Sequence, residues 1–188
     1  MNDIFLYIAI AATFLLAGSV KGVIGMGLPT VSLGLLAATL DLTSAMAILL
    51  VPSFVANLWQ ATSGGNGRAI IARLWPFLLM ATLTIGLGAL ALIHINSSYL
   101  SILLGILLIV YSTLNLSGVR FSVPPQKEKW LGAALGAING IMTGMTGSSV
   151  VPGVMYLQAI GLPRDILVQA MGILFTATTV ALALALGK

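Results

Sequence analysis

Apolar stretches long enough to cross a membrane follow one another along almost the entire chain. Of the 188 residues, 59% are hydrophobic and 6% are charged, and the mean hydropathy is +1.12. A helix needs about twenty consecutive apolar residues to cross the hydrocarbon layer. The sequence therefore predicts an all-α, polytopic integral membrane helix bundle, with a single membrane domain over 1–188. The predicted segments are 4–20, 22–40, 43–62, 74–93, 99–116, 130–146, 148–160 and 166–186.

The residue types that most enzymes and metal proteins use are scarce. The chain has no cysteine and only one histidine, His94. This composition argues against disulfides, cysteine metal sites, haem and zinc. No segment carries a carboxylate pair, and no Gly-x-x-x-x-Gly-Lys-Ser/Thr phosphate loop is present. We therefore expect no enzyme, no metal and no cofactor. The net charge of +4 lies mostly in loops, where it orients a membrane chain rather than binding nucleic acid.

The basic residues predict which loops face the cytoplasm. Arg68 and Arg73 follow the third predicted segment, and Arg120, Lys127 and Lys129 follow the fifth. Two segments separate the two groups, so both fit the cytoplasmic side, where lysine and arginine are in excess. The turn at 94–98 has neither residue and fits the opposite side. We expect an integral protein of the bacterial inner (plasma) membrane.

Two glycine-rich motifs, each followed by a proline, interrupt the apolar sequence. The first reads Gly22-Val-Ile-Gly25-Met-Gly27-Leu-Pro29, and the second reads Gly144-Met-Thr-Gly147-Ser-Ser-Val-Val-Pro152. A membrane tolerates broken backbone only where protein or a water-filled cavity surrounds it. Matching breaks are typical of transporters built from repeats, whose sites lie at the breaks. The motifs predict broken or re-entrant helices, although small residues in membrane helices also serve as packing devices.

The order of features around the motifs predicts two related halves. Half one covers about 1–118, a basic Pro-Pro loop covers 119–129, and half two covers 130–188. If the three segments before the first basic loop all span, the repeats are inverted. By this comparison the second half lacks a final helix pair. That observation predicts either a fragment or a chain completed by a partner that supplies helices.

The breaks also predict an anion site. The start of a half-helix carries unpaired amides and a partial positive charge, which favour an anion. Hydroxyl and amide side chains near the motifs add hydrogen-bond donors. The predicted substrate-binding residues are Gly22, Gly25, Gly27, Pro29, Thr30, Asn139, Gly144, Thr146, Gly147, Ser148, Ser149 and Pro152.

Five further polar residues carry alternative interpretations. Lys21 beside the first motif is either a charge near the pathway or a helix-end lysine that extends to the membrane surface. Asp41 and Asp165 are expected to cap the helices that follow them. Asn57 and Gln169 lie in apolar helices, and we expect them, like Asn139, to bond between helices or to line the pathway.

The quoted motifs resemble those of the sulfite exporter TauE/SafE family of membrane transporters. The resemblance rests on Lys21-Gly-Val-Ile-Gly-Met-Gly-Leu-Pro29 and Gly140-Ile-Met-Thr-Gly-Met-Thr-Gly-Ser-Ser-Val-Val-Pro152, and on the alanine-led helices near Ala45 and Ala170. It implies two related halves in one bundle and export of small sulfur-containing or organic anions such as sulfite and sulfoacetate. This chain has Ser148 and Ser149 where the family typically continues its glycine run.

Together these observations predict a secondary transporter that exports a small anion, namely sulfite, a sulfonate or a related organic acid, by alternating access. The expected partners are the lipid bilayer and the anionic substrate, with a coupling proton and a homo-oligomer left open. The alternative is a non-transporting membrane subunit or a truncated remnant of such a transporter.

Overall fold

A computed structural model describes residues 3–119 and 121–187, and its regular elements there are all helical. Arg120 and Lys188 lie outside the described residues. A short 3-10 turn at Pro125–Lys127 and a kinked segment at Val150–Val154, here called the π turn, in which Val151 is extended with φ −115° and ψ 124°, join the longer elements. The α-helices are α1 Asp3–Ile24, α2 Leu28–Leu36, α3 Leu42–Thr62, α4 Gly67–Leu83, α5 Ile85–His94, α6 Ser97–Leu116, α7 Glu128–Thr146, α8 Met155–Ala159 and α9 Arg164–Leu186.

The prediction of a membrane helix bundle is confirmed. Five helical stretches are long and apolar enough to cross a membrane: Ile4–Ile24, Leu42–Thr62, Gly67–His94, Ser97–Leu116 and Arg164–Leu186. The third of these is α4 and α5 together, joined at Thr84. In α1 and α6 only 17% and 11% of the apolar window is buried, so most of their surface is left for lipid.

Two predicted segment bounds were wrong. α4 begins at Gly67, so Arg68 and Arg73 belong to its first turns and not to a loop. α1 continues through Gly22 to Ile24, so the first break begins later than the motif does. Pro29 lies in the first turn of α2, where a missing N–H removes no helical hydrogen bond, so this proline starts a helix rather than interrupting one.

The helix α7 runs parallel to α4 and α5 through a stripe of glycines. A Cβ atom at Gly136 would overlap the backbone of Phe77, one at Gly140 would overlap the Ala81 carbonyl, and one at Gly144 would overlap the Ile85 carbonyl. Glycines four residues apart let two backbones approach this closely. At the start of both helices, Arg73 pairs with Glu128 through bonds of 2.7 and 2.8 Å.

The helices α3 and α9 form a second close pair, which is antiparallel. Gly172, near the start of α9, faces the backbone of Gln60 and Ala61 near the end of α3. Gln169 strengthens this contact by donating to the Ala61 carbonyl at 2.9 Å and accepting from the Asn66 backbone at 3.0 Å. Opposite directions for α3 and α9 are compatible with inverted halves, although the repeat itself and the division at 119–129 stay predictions.

The two aspartates predicted as caps differ. Asp41 caps α3, since its carboxylate accepts from the Ser44 backbone at 3.0 Å. Asp165 is not a cap. Pro163 precedes α9 at the cap position, and Asp165 is an exposed residue of the first turn, where its negative charge faces the positive helix end.

Candidate functional site

The first break lies between α1 and α2 and depends on glycine. Gly25 and Gly27 have φ angles of 82° and 110°, which L side chains rarely adopt. The Gly27 carbonyl accepts from Val31 at 2.7 Å and so closes the first turn of α2. The early amides of α2, including that of Thr30, have no partner within the helix and carry its partial positive charge.

The second break follows α7. Gly147 ends that helix with φ 74°, and the chain passes Ser148 and Ser149 before the π turn. Two side chains of α7 hold the break in place. Asn139 Oδ1 accepts from the Gly153 backbone at 3.0 Å, and Thr146 Oγ1 accepts from the Ser148 backbone at 3.3 Å.

The two breaks meet at one cavity of about 30 Å³. Pro29 and Thr30 line it from the first break, and Gly147 and Ser149 line it from the second. None of the described residues that line the cavity is charged. Its remaining lining comes from α3, α7, the start of the π turn and α9: Met46, Leu49, Leu50, Ser53, Thr143, Val150, Phe175, Thr178, Thr179 and Leu182.

Hydroxyl groups form the polar wall of this cavity. The Ser149 hydroxyl lies 2.9 Å from that of Thr143 and 3.3 Å from that of Thr178. Both threonines donate to carbonyls of their own helices, at 2.7 and 2.9 Å. The single hydrogen of Ser149 can therefore bond to either threonine or turn towards a ligand. The cavity offers an anion neutral donors rather than a direct ion pair.

Lys21 is buried beside the cavity, close to the ring of Phe175. Its side chain is 8% exposed, and its Nζ atom donates to Asn57 Oδ1 at 2.7 Å and to Gln60 Oε1 at 2.5 Å. Extension to the interface, one of the two alternatives, is therefore wrong. The expected interhelical bonds of Asn57 are present, because it joins Lys21 of α1 to Ser53 of α3 at 3.0 Å.

The other predicted residues lie outside the cavity lining. Gly22 is exposed within α1, and a Cβ atom there would meet nothing within 4 Å. Gly144 packs on α5, and Gly25 and Gly27 pack on Val168 and Val20. Asn139 and Thr146 hold the second break, while Ser148 is buried within it and Pro152 is partly buried in the π turn.

Ser53, Thr143 and Thr178 line the cavity and were not predicted from the motifs. Ser53 shares α3 with Asn57 and Gln60, which do not line the cavity, and the three polar residues are spaced by four and three along the helix. That spacing places them on one face, so it was a usable signal. Thr143 and Thr178 gave no comparable signal, because threonines commonly bond to their own helix carbonyls, as these two also do.

A larger cavity of about 750 Å³ lies where α6 ends, next to α8. Leu114, Gly118, Phe121, Met155 and Gln158 are among its lining residues. It lies by the loop that precedes α7, and neither motif contributes a glycine to it. We therefore take the small cavity at the breaks as the candidate site.

Comparison with known families gives one match of nearly full length. The family model described as "Sulfite exporter TauE/SafE" matches residues 10–187, which include both breaks and every residue that lines the small cavity. No curated protein and no solved structure matches the chain.

Proposed function

The chain belongs to the sulfite exporter TauE/SafE family of membrane transporters, and on this basis we propose that it exports a small anion, sulfite or a compact sulfonate, by alternating access. The observation that supports this proposal is the cavity at which both glycine breaks meet. Broken helices that converge on one cavity in a membrane bundle are the usual form of a transporter substrate site.

The proposed site binds an oxyanion through neutral donors. The hydroxyls of Thr30, Ser53, Ser149 and Thr179 can turn hydrogens towards the cavity, and the start of α2 adds its amides. Each such bond contributes a modest free energy, because the anion gives up water to form it. A site of this kind releases its substrate readily, as a transporter requires.

The size of the cavity favours a compact substrate. A single water needs about 10–15 Å³, so the cavity of about 30 Å³ holds roughly two waters or one small ion. Sulfite suits this volume better than a long organic acid does. In an alternating cycle the site would widen as it opens to either side.

The packing indicates which parts would move. The backbone contacts of Gly136, Gly140 and Gly144 join α4, α5 and α7 closely. The cavity lies between residues of that group and residues of α2, α3 and α9. We propose that substrate access alternates through motion at this boundary rather than within the glycine-packed group.

Several finer features of the transporter are also proposals. The ion pair of Arg73 with Glu128 puts the starts of α4 and α7 at one end of the bundle, and we assign this end to the cytoplasm of a bacterial inner membrane. A coupling proton, a homo-oligomer and the absence of catalysis remain predictions.

Flux through proteoliposomes tests the proposed function. Purified protein is reconstituted with [35S]sulfite inside, and release is measured against protein-free vesicles. We expect release from wild type, and at least tenfold slower release from Thr179→Val, because one lost bond to a charged ligand is worth about 1.5–3 kcal/mol. Thr176→Val is the matched control, since Thr176 lies in the same helix, where its hydroxyl donates to the Gly172 carbonyl at 2.7 Å, and does not line the cavity.

Two results would count against the proposal. Equal release from wild-type and empty vesicles, across sulfite and a panel of sulfonates, would favour the non-transporting subunit. Equal slowing by Thr176→Val and Thr179→Val would show that the cavity is not the site. Gly147→Leu gives an independent check, because its side chain would enter the space of Met46, whose Cγ atom lies 2.9 Å from the added Cβ.

A further inference from the structure

A buried cation lies one hydrogen-bonded step behind the cavity wall. Lys21 makes two hydrogen bonds, to Asn57 and Gln60, and its Nζ atom lies 5.6 Å from the ring centroid of Phe175, which lines the cavity. Among the residues described by the structure, no carboxylate pairs with it; the salt bridge found there joins Arg73 to Glu128. A lysine buried in a membrane bundle without an acidic partner is expensive, and such residues usually serve function.

The neighbouring helices bring no other charge close to Lys21. In the part of the chain that is described, α2 has no charged side chain, and α3 has only its cap Asp41, which is exposed. The charges of α9 are Arg164 and Asp165, both exposed in its first turn. Lys21 thus carries a buried charge beside the cavity, whereas the charged side chains described on these three helices are exposed.

Asn57 connects the ammonium group to the cavity in a defined orientation. An ammonium group can only donate, so it must face Asn57 Oδ1, and this directs Nδ2 to Ser53 Oγ at 3.0 Å. Since Ser53 accepts from Asn57, its own hydrogen is left to donate elsewhere. Ser53 lines the cavity, so this hydrogen can point at a bound ligand.

We propose that Lys21 supplies the positive charge of the anion site, acting through Asn57 and Ser53 as a positioning residue that makes the cavity select ligands by charge. This inference rests on the proposed function of the cavity and deepens it. Lys21 attracts the anion at a distance and orients the Ser53 hydroxyl towards it. A neutral site of hydroxyls alone would not distinguish a dianion from a monoanion by such attraction.

The size of the effect follows from Coulomb's law. The hydrogen bonds of 2.7 and 3.0 Å on either side of the Asn57 amide, and a further bond of about 2.8 Å from Ser53, place a bound anion roughly 9 Å from the ammonium group. At an effective dielectric constant of about 20, one unit charge at this distance changes the affinity of a monoanion about 20-fold. The interaction scales with ligand charge, so a dianion changes about 400-fold. This difference between ligands separates an electrostatic role from a structural one.

A purely structural role is the competing explanation. Gln60, the second partner of Lys21, donates to the Gly25 carbonyl at 2.7 Å and to the Val168 carbonyl at 2.6 Å. Loss of Lys21 could therefore loosen the contact of α1 with α3 and α9. Such loosening would weaken all ligands by a similar factor, whatever their charge.

The experiment measures binding of sulfate and methanesulfonate, a dianion and a monoanion of similar size, to detergent-solubilised full-length protein by isothermal titration. The variants are Lys21→Met, Lys21→Gln and Lys21→Arg, with Lys129→Met as a control that removes an exposed charge. We expect both neutral variants to weaken methanesulfonate about 20-fold and sulfate far more. Lys21→Arg should keep wild-type affinities within a few-fold, and Lys129→Met should change neither ligand.

A cysteine variant makes the test independent of how well the neutral variants fold. The chain has no cysteine, so Lys21→Cys can be labelled at one place. An aminoethyl thiosulfonate restores the ammonium group, and a methyl thiosulfonate adds no charge. We expect only the aminoethyl label to restore the preference for sulfate.

Each outcome has a distinct meaning. Binding of neither anion by wild type, together with no sulfite release, would overturn the proposed function itself. Anion binding by wild type with equal losses of both ligands in Lys21→Met and Lys21→Gln would overturn the role of Lys21 and leave the cavity intact. If the aminoethyl and the methyl label restored the preference for sulfate equally, that result would also contradict an electrostatic role of Lys21.

Discussion

Gly136 offers a direct test of how closely α7 packs on α4. A Cβ atom at this position would overlap the Phe77 carbonyl oxygen and would lie 3.1 Å from both the carbonyl carbon and the Cα atom of Phe77. All three contacts are backbone atoms, so no flexible side chain can move aside. Gly136→Ala therefore forces the two helices apart.

The expected loss of stability is moderate. Overpacking of a dense core costs about 1–3 kcal/mol, and the rigid backbone contact places this site in the upper part of that range. Alanine returns up to about 1 kcal/mol through its higher helix propensity. The net loss is about 2 kcal/mol, which corresponds to a decrease in Tm of roughly 4–8 °C for a chain of this length.

Tryptophan fluorescence during heating in detergent measures the Tm, since the chain has three tryptophans. Gly105→Ala is the matched control. Gly105 lies inside α6, and an added Cβ atom would meet nothing within 4 Å. The Tm of the Gly105→Ala variant should stay the same as that of wild type or increase slightly. Equal Tm values for both variants would refute the close backbone packing of α7 on α4.

Three further predictions concern single contacts. Arg73→Met should lower the Tm by a few degrees, because it leaves the buried Glu128 carboxylate unpaired, and a double-mutant cycle with Glu128→Gln should recover part of the loss. Thr84→Val should cost about 0.5–1.5 kcal/mol in thermal unfolding, because its hydroxyl reaches carbonyls of both α4 and α7 at 2.8 Å. The hydrogen bonds from Ser44 lower the pKa of the Asp41 carboxyl, so the stabilising charge is present above the unfolded pKa of about 4 and is lost as pH falls through the lower folded value. Asp41→Ala should therefore decrease the Tm more at pH 7 than at pH 3. An equal decrease at both pH values would contradict the role of the charged Asp41 carboxylate as the cap of α3.

Most of the membrane architecture could be predicted from the sequence because it depends on local properties. Hydropathy over about twenty residues identifies a spanning helix without reference to its neighbours. Glycine with positive φ and a proline in a first turn likewise act within a few residues, so Gly27, Pro29 and Gly147 marked the breaks. The bounds of α1 and α4 were missed, since Gly22 fits a membrane helix and Arg73 is tolerated inside one by its pairing with Glu128.

The identity of the cavity residues depends on long-range contacts that no local pattern contains. Pro29 and Gly147 line one cavity because α7 and α9 pack beside α2 and α3, while Gly144 turns towards α5 and away from it.

The sequence by itself determined that this chain is a membrane helix bundle with two glycine breaks, because hydropathy and backbone freedom belong to the residues themselves. Only the tertiary structure decided that Lys21 is buried and that Asn57 and Ser53 link it to the cavity. The physical reason is that burial and hydrogen-bond partners depend on which helices pack together, and α1 meets α3 across 36 residues of chain.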